Sequence, residues 1–189
     1  MYTPGVAIRD QERVAVKRVE RSTAIRAYLL PLPLADAACA VFCLFSHHQV
    51  VEVLGRRAVQ RIPLSPAYLH GVIRYADQLL PVIHLDGLCN RSMVGHPEGY
   101  RQLVVVRTGA NDPVSGIPLK AAIAVNARVQ MTTLSSQVLA MESAEQEAPA
   151  SLRATGLLRG YVLQPSGGIA VIDLSRVVLG TFADVVPAD

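Results

Sequence analysis

Tryptophan is absent from this 189-residue chain, and aromatic residues make up only 5% of it. The core must therefore be built from Val, Leu, Ile and Ala, and no aromatic-rich face is available for stacking nucleic-acid bases. Hydrophobic residues still reach 51% and charged residues only 17%, which is typical of folded rather than disordered chains. A chain of this length buries roughly 70% of its unfolded surface, so folding requires no metal or disulfide.

Long apolar segments are also missing. The chain has no run of about 18 uncharged apolar residues and no apolar N-terminal stretch of signal-peptide type. Its net charge of +3 lies in residues 1–26, which hold six basic and three acidic residues, whereas the remainder holds 12 of each. A neutral body lacks the basic footprint of a nucleic-acid binder. We therefore expect a cytoplasmic protein with no nucleic-acid partner and no membrane insertion.

Cysteines are few, and none forms a CxxC pair, which fits a reducing compartment. Cys39 and Cys43 alternate with apolar residues and are predicted to be core thiols. A metal site from Cys43, His47 and Cys89 matches no compact ligand spacing. The sequence also lacks a Gly-rich phosphate loop, a nucleophile elbow and a zinc-helix motif. We therefore predict a protein that is not an enzyme, without catalytic, cofactor-binding or metal-binding residues.

What the chain does contain is a series of short apolar segments separated by turn residues. Ten strands are predicted, at 25–34, 37–45, 50–54, 69–74, 78–85, 102–107, 119–125, 129–132, 157–164 and 168–173. Helix is predicted at 86–89, 135–147 and 174–179, with a loop at 109–118 and a linker at 148–154. Many short strands with frequent turns indicate small barrels or a sandwich.

Two of the predicted hairpins, at 69–85 and 158–174, resemble each other. Gly71 precedes Leu85 by 14 positions, and Gly160 precedes Leu174 by the same number. We interpret this as two similar small β units, the alternative being a chance match of residues common in strands. Each glycine either admits another backbone segment, relieves a bend or serves turn chemistry.

Glu52 is the single charge within the apolar segment 50–54. Such a carboxylate either lies on the exposed face of an edge strand or is paired with a cation. Arg56, Arg57 and Arg74 are the candidate partners.

Three segments together resemble the chemotaxis coupling protein (CheW-like) family. Residues 50–53 are similar to the family's V-x-E-V segment, 62–73 to its P-x-x-P-x-x-x-x-G-V-I stretch, and 80–85 to its I-P-V-V-D-L segment. Residues 160–174 look like the family's last hairpin, so the resemblance covers about residues 25–182.

The resemblance implies a mainly β fold with few short helices. Two small five-stranded barrels of the Src-homology-3 type would surround a shared apolar groove. We assign residues 25–184 to one CheW-like domain whose two halves can interleave along the chain. Residues 1–24 would form a polar N-terminal extension, and residues 185–189 a tail.

The resemblance also implies a non-enzymatic chemosensory adaptor. It would couple the cytoplasmic tip of a methyl-accepting chemoreceptor to the regulatory domain of a chemotaxis-type histidine kinase, which has the same fold and pairs barrel to barrel. The groove would accept a partner helix near Val50, Val53, Val72 and Ile73. The implied protein-binding residues are Val50, Glu52, Val53, Gly71, Val72, Ile73, Arg74 and Asp77.

The hairpin turn departs from the family pattern. The family's Asn-Leu-Arg-Gly is replaced by residues 74–77, so Ala76 stands where the arginine is expected and His84 where an aspartate is expected. We expect one of the three arginines named above to replace the missing one as the partner of Glu52. The departures favour a divergent adaptor. The alternatives are an accessory adaptor of a pilus or twitching-motility system and a scaffold with a different protein partner.

Overall fold

The structure, a computed structural model, describes residues 24–89, 99–135 and 144–181. The predicted tail and all but the last residue of the predicted extension lie outside these ranges. The elements in chain order are β1 (Ala24–Pro31), β2 (Val41–Ser46), β3 (Val50–Gly55), β4 (Leu69–Tyr75), β5 (Gln78–Ile83), α1 (Leu85–Cys89), β6 (Gln102–Asn111), β7 (Pro118–Val125), β8 (Met131–Ser135), a 3-10 turn (Glu145–Glu147), α2 (Ala150–Ala154), β9 (Leu158–Gln164), β10 (Gly167–Ile172) and α3 (Leu174–Val178).

The strands form two five-stranded sheets with the same succession of pairings. Sheet one has the order β8-β1-β2-β10-β9 and sheet two the order β3-β6-β7-β5-β4. Each sheet begins at one edge with an antiparallel hairpin, β9–β10 or β4–β5. The inner strand of that hairpin pairs in parallel with the next strand, β10 with β2 or β5 with β7, and the two remaining pairings are antiparallel. The mainly β class and the two matching hairpins are confirmed. Within the described residues no backbone pairing joins the two edge strands of either sheet, so neither unit is a closed barrel.

Sheet two curls towards closure through the segment that follows β3. Gln60 and Val72 exchange both backbone hydrogen bonds, at 2.9 Å and 2.8 Å. Gly71 allows this approach, because a Cβ at its position would lie 2.3 Å from the carbonyl oxygen of Gln60, and its φ of +147° disfavours other residues. Of the three interpretations offered above for this glycine, the close approach of another backbone segment is therefore correct for Gly71.

The core has two parts, and β6 contributes to both. Val104 and Val106 face the cluster between the two sheets, whereas Leu103 and Val105 face a second cluster inside sheet two. This alternation follows the period of two along a strand. All four side chains are fully buried. Because both faces of β6 are covered over residues 103–106, that part of its sequence is an uninterrupted apolar run.

Tertiary contacts override several local predictions. The predicted linker 148–154 contains α2, whose first turn is fixed to a distant turn: Ser151 donates from its backbone N and its Oγ to the Asp36 carboxylate, at 2.8 Å and 2.6 Å. The predicted helix 135–147 is wrong at both described ends, because Ser135 closes β8 and Glu145–Glu147 is a 3-10 turn. Residues 136–143 lie outside the described ranges. Pairing with β7 extends β6 to Asn111, into the predicted loop.

The cysteines separate into two environments. Cys43 is buried, and burial raises the pKa of its thiol far above the ordinary range. Cys89, at the end of α1, has its pKa raised to about 12, mainly by burial. The prediction of a core position was wrong for Cys39, which is exposed because it lies in a bend before β2 begins. Alternation with apolar residues predicts burial only for residues that lie within a strand, as Cys43 does and Cys39 does not.

Candidate functional site

Strand β3 presents two half-buried valines at an edge of sheet two. A bulge at Val51 breaks the pairing with β6 between Val50 and Glu52. Residues three apart normally face opposite sides of a strand, but an extra bulged residue lets Val50 and Val53 share one side. Both valines pack against the core cluster between the sheets, and Val51 itself is 36% exposed. The result is an apolar edge that borders the junction of the two sheets.

Glu52 is exposed and is held by a tyrosine. The hydroxyl of Tyr75 donates to Glu52 Oε2 at 2.9 Å. Within the described chain no arginine lies within 4 Å of this carboxylate, so the predicted replacement of the turn arginine is wrong. Glu52 acts as the acceptor that raises the pKa of Tyr75. Lys120 Nζ lies 5.9 Å from the centre of the same ring.

The other predicted binding residues lie on the hairpin formed by β4 and β5, at three different depths. Ile73 is 3% exposed and belongs to the cluster inside sheet two, so it supports the surface from beneath. Gly71 is buried under Gln60, and Val72 is half-buried. Arg74 and Asp77 are exposed. Ile73 therefore belongs to a different cluster from Val50 and Val53 and does not line an open surface.

The end of this hairpin carries two features that the sequence analysis missed. Leu79 lies opposite Arg74 and is 69% exposed. Ala76 has a φ of +50°, a conformation that favours glycine, asparagine or aspartate. The turn and the side chains next to it thus form an exposed surface that is both charged and apolar. In the sequence, the only sign of the exposed leucine is that Leu79 directly precedes another apolar residue, Leu80, where alternation would place a polar one.

A cleft of about 250 Å³ lies between the two sheets. Pro31, Leu32 and Phe42 line it from sheet one, and Leu85 and Val125 line it from the side of sheet two. Its described lining is mostly apolar and contains none of the eight predicted binding residues. The cleft is therefore a second apolar feature at the junction of the sheets, separate from the β3 edge.

The repeated hairpins carry different pairs of side chains at matching positions. Each hairpin has a bulge at its first strand, at His70 in β4 and at Arg159 in β9. Fourteen positions later stand His84 and Asp173. Arg159 Nε donates to Asp173 Oδ2 at 3.0 Å, whereas the His70 and His84 rings lie edge to face with centroids 4.8 Å apart. An ion pair in one half thus corresponds to a buried histidine pair in the other.

Two features are absent from the described part of the chain. Across residues 24–89, 99–135 and 144–181, no group of three or more His, Cys, Asp or Glu side chains is placed to hold a metal ion. Among the same residues, no helix has the length and apolar character needed to cross a membrane. The described surfaces are apolar edges and charged rims, which are suited to contacts between proteins.

Comparisons with known proteins agree with the fold. The model of the CheW-like domain family matches residues 41–179. Among solved structures, the chain is similar to the scaffolding protein TtCheW of Thermoanaerobacter tengcongensis, with 17% sequence identity and a TM-score of 0.51, over 79% of this chain and 86% of that one. A search of curated proteins finds no match. At this level of identity the structural likeness speaks for the fold alone.

Proposed function

Because the chain belongs to the CheW-like domain family, a family of chemotaxis scaffolding proteins, we propose that it is a non-enzymatic adaptor that couples a chemoreceptor to a histidine kinase. It acts in the cytoplasm, binding the cytoplasmic tip of the receptor and the regulatory domain of the kinase. The proposal rests on family membership over most of the chain, and the similarity to a scaffolding protein is consistent with it.

The structural feature that supports binding to a partner is the apolar edge on β3. Val50 and Val53 are half-buried against the core between the sheets, and the bulge turns both towards the same side. A helix laid along this edge would desolvate them further, and a few such anchors usually supply most of the binding energy. Glu52 supplies a charged group on the same strand, and its bond to Tyr75 joins this strand to the hairpin that carries the exposed Arg74 and Asp77.

Substitution of Val50 tests this surface. We expect Val50→Asp to weaken binding of the receptor tip by roughly thirtyfold or more, because a buried carboxylate replaces an apolar anchor. Binding is measured by pull-down and by titration with a receptor cytoplasmic fragment and a kinase regulatory domain. An accessory adaptor of a pilus system would bind the corresponding receptor and kinase, so both partner sets are included.

Val129→Asp is the matched control, since Val129 is also half-buried against the same cluster. It is bonded to Gln102, whereas Val50 lies opposite Val106, four residues further along β6. Val51→Asp adds a substitution at an exposed position of the same edge, where folding is not at risk. Circular dichroism verifies that each variant is folded. If folded Val50→Asp and Val51→Asp proteins bind both partners as tightly as the unmodified chain, the β3 edge is not the binding surface.

A further inference from the structure

A cavity of about 420 Å³ lies beneath the segment that joins β3 to β4. We call it the arginine cavity, and its lining is Arg56, Arg57, Ala58, Val59, Arg61, His70 and Tyr100. The three arginines are exposed, whereas the imidazole of His70 and the ring of Tyr100 are more than nine-tenths buried and form the floor. Neither the β3 edge nor the inter-sheet cleft shares any of these lining residues.

The backbone that carries the arginines is fixed at two points. The Tyr100 hydroxyl donates a hydrogen bond to the carbonyl oxygen of Arg57. Three residues later, Gln60 forms its two backbone hydrogen bonds with Val72. These anchors hold the backbone at Arg57 and directly before Arg61, which restricts the positions of the arginines before any ligand arrives. Such preorganisation lowers the entropic cost of binding.

The charge of the arginine cavity is not balanced by the described part of the chain. No described carboxylate lines the cavity or lies within 4 Å of the three guanidinium groups. Arg159 offers a contrast, since it is paired with Asp173. Three positive charges around a concave, partly apolar site focus the electrostatic potential and attract anions.

We infer that the arginine cavity binds a small ligand that bears phosphate groups. Arginine matches the phosphate oxygens with paired donors, and three arginines within six residues suit a compact group with several negative charges. The volume lies within the roughly 300–1,000 Å³ range of small-molecule sites. An acidic peptide carries its charges singly along an extended chain, whereas the three arginines surround one site within six residues. This inference does not depend on the adaptor function.

The test is a titration of the full chain with pyrophosphate and with ATP at constant ionic strength, followed by calorimetry and by backbone amide NMR shifts. We expect both probes to bind and to shift the backbone amide signals of Arg57, Arg61 and Tyr100. When the titrations are repeated at higher salt, both affinities should fall. The Arg57→Gln/Arg61→Gln variant should lose at least tenfold in affinity. Tighter binding of ATP than of pyrophosphate would identify a nucleotide, and equal binding a phosphate group alone.

The matched control is Arg128→Gln/Arg153→Gln, which removes the same charge from exposed positions outside the cavity. It should retain the affinity of the unmodified chain. The inference is overturned if neither probe binds, or if the two double variants weaken binding equally. Equally tight binding of a hexaglutamate peptide at the same amides would also overturn it, in favour of an acidic-peptide site.

Discussion

At the scale of single residues, the hydrogen bond from Tyr75 to Glu52 links the two edge strands of sheet two. The bond is exposed, so its contribution to stability is small, about 0.5–1 kcal/mol. Its position matters more than its energy. It ties the edge that carries Val50 and Val53 to the end of the hairpin at the opposite edge of the sheet.

The titration of Tyr75 reports directly on this contact. Its pKa is raised because the neutral hydroxyl donates to the Glu52 carboxylate, with further contributions from burial and from charge repulsion in the ionised form. Glu52→Gln removes the negative charge, so we expect the pKa of Tyr75 to fall towards its ordinary value of about 10. NMR of ring-labelled tyrosine measures the shift. Tyr161 serves as the internal control, because burial is the main cause of its raised pKa and it should not respond. An unchanged Tyr75 titration would contradict the contact.

At the scale of secondary-structure elements, Asp173 joins β10 to α3 and ties both to β9. Its Oδ1 accepts hydrogen bonds from the backbone N of Ser175 and of Arg176, at 3.0 Å and 3.3 Å, and its Oδ2 accepts from Arg159. Burial raises the pKa of Asp173, but the hydrogen bonds outweigh it, so the pKa lies below its ordinary value. One carboxylate thus caps a helix and closes a hairpin.

A depressed pKa makes this contribution depend on pH in a defined direction. The stabilisation is present above the unfolded pKa of about 4 and is lost as the pH falls through the lower folded value. We expect Asp173→Asn to cost about 1 kcal/mol at neutral pH, since asparagine still caps the helix but loses the ion pair with a largely exposed arginine. Near pH 2 the difference from the unmodified chain should shrink. Urea unfolding at both pH values measures it, with Asp77→Asn as the control. An equal cost at both would contradict the assignment.

The hairpins were predictable because their determinants are local. A glycine, an apolar alternation and a two-residue turn recur at the same spacing, and each operates within about 15 residues. The bulge at Val51, the helix at 150–154 and the tyrosine partner of Glu52 depend on segments distant in sequence. The order of the strands in the sheets is also set by such long-range pairing. For the candidate site, the sequence therefore indicated the strands, whereas depth and orientation required the packed structure.

At the scale of the whole molecule, the two sheets share one core. The cluster between them contains Leu30 and Cys43 from sheet one and Val104 and Ile123 from sheet two, all fully buried. Neither sheet can lose its structure without exposing the apolar face of the other. We infer that the described part of the chain unfolds as a unit.

The absence of tryptophan makes this cooperativity simple to measure. Tyr28→Trp places a fluorescent probe in sheet one, and Tyr75→Trp places one in sheet two. We expect both variants to show urea transitions of the same shape that coincide with their own circular dichroism curves. Val104→Ala should lower the free energy of unfolding by about 1–3 kcal/mol in either background. Transitions at different urea concentrations for fluorescence and circular dichroism would show that the sheets unfold separately.

The interleaving of the two sheets has a consequence for synthesis on the ribosome. All five strands of sheet two lie between Val50 and Val125, so this sheet is complete in sequence once that stretch has emerged. Sheet one is divided: β1 and β2 are made first, but the central strand β2 receives its parallel neighbour β10 only when residues 167–172 appear. When sheet two is complete, the early hairpin therefore still has two unpaired edges, because β1 lacks β8 and β2 lacks β10. Once β8 has emerged, only the edge of β2 stays open until β10 appears, and that edge is where a chaperone would be needed.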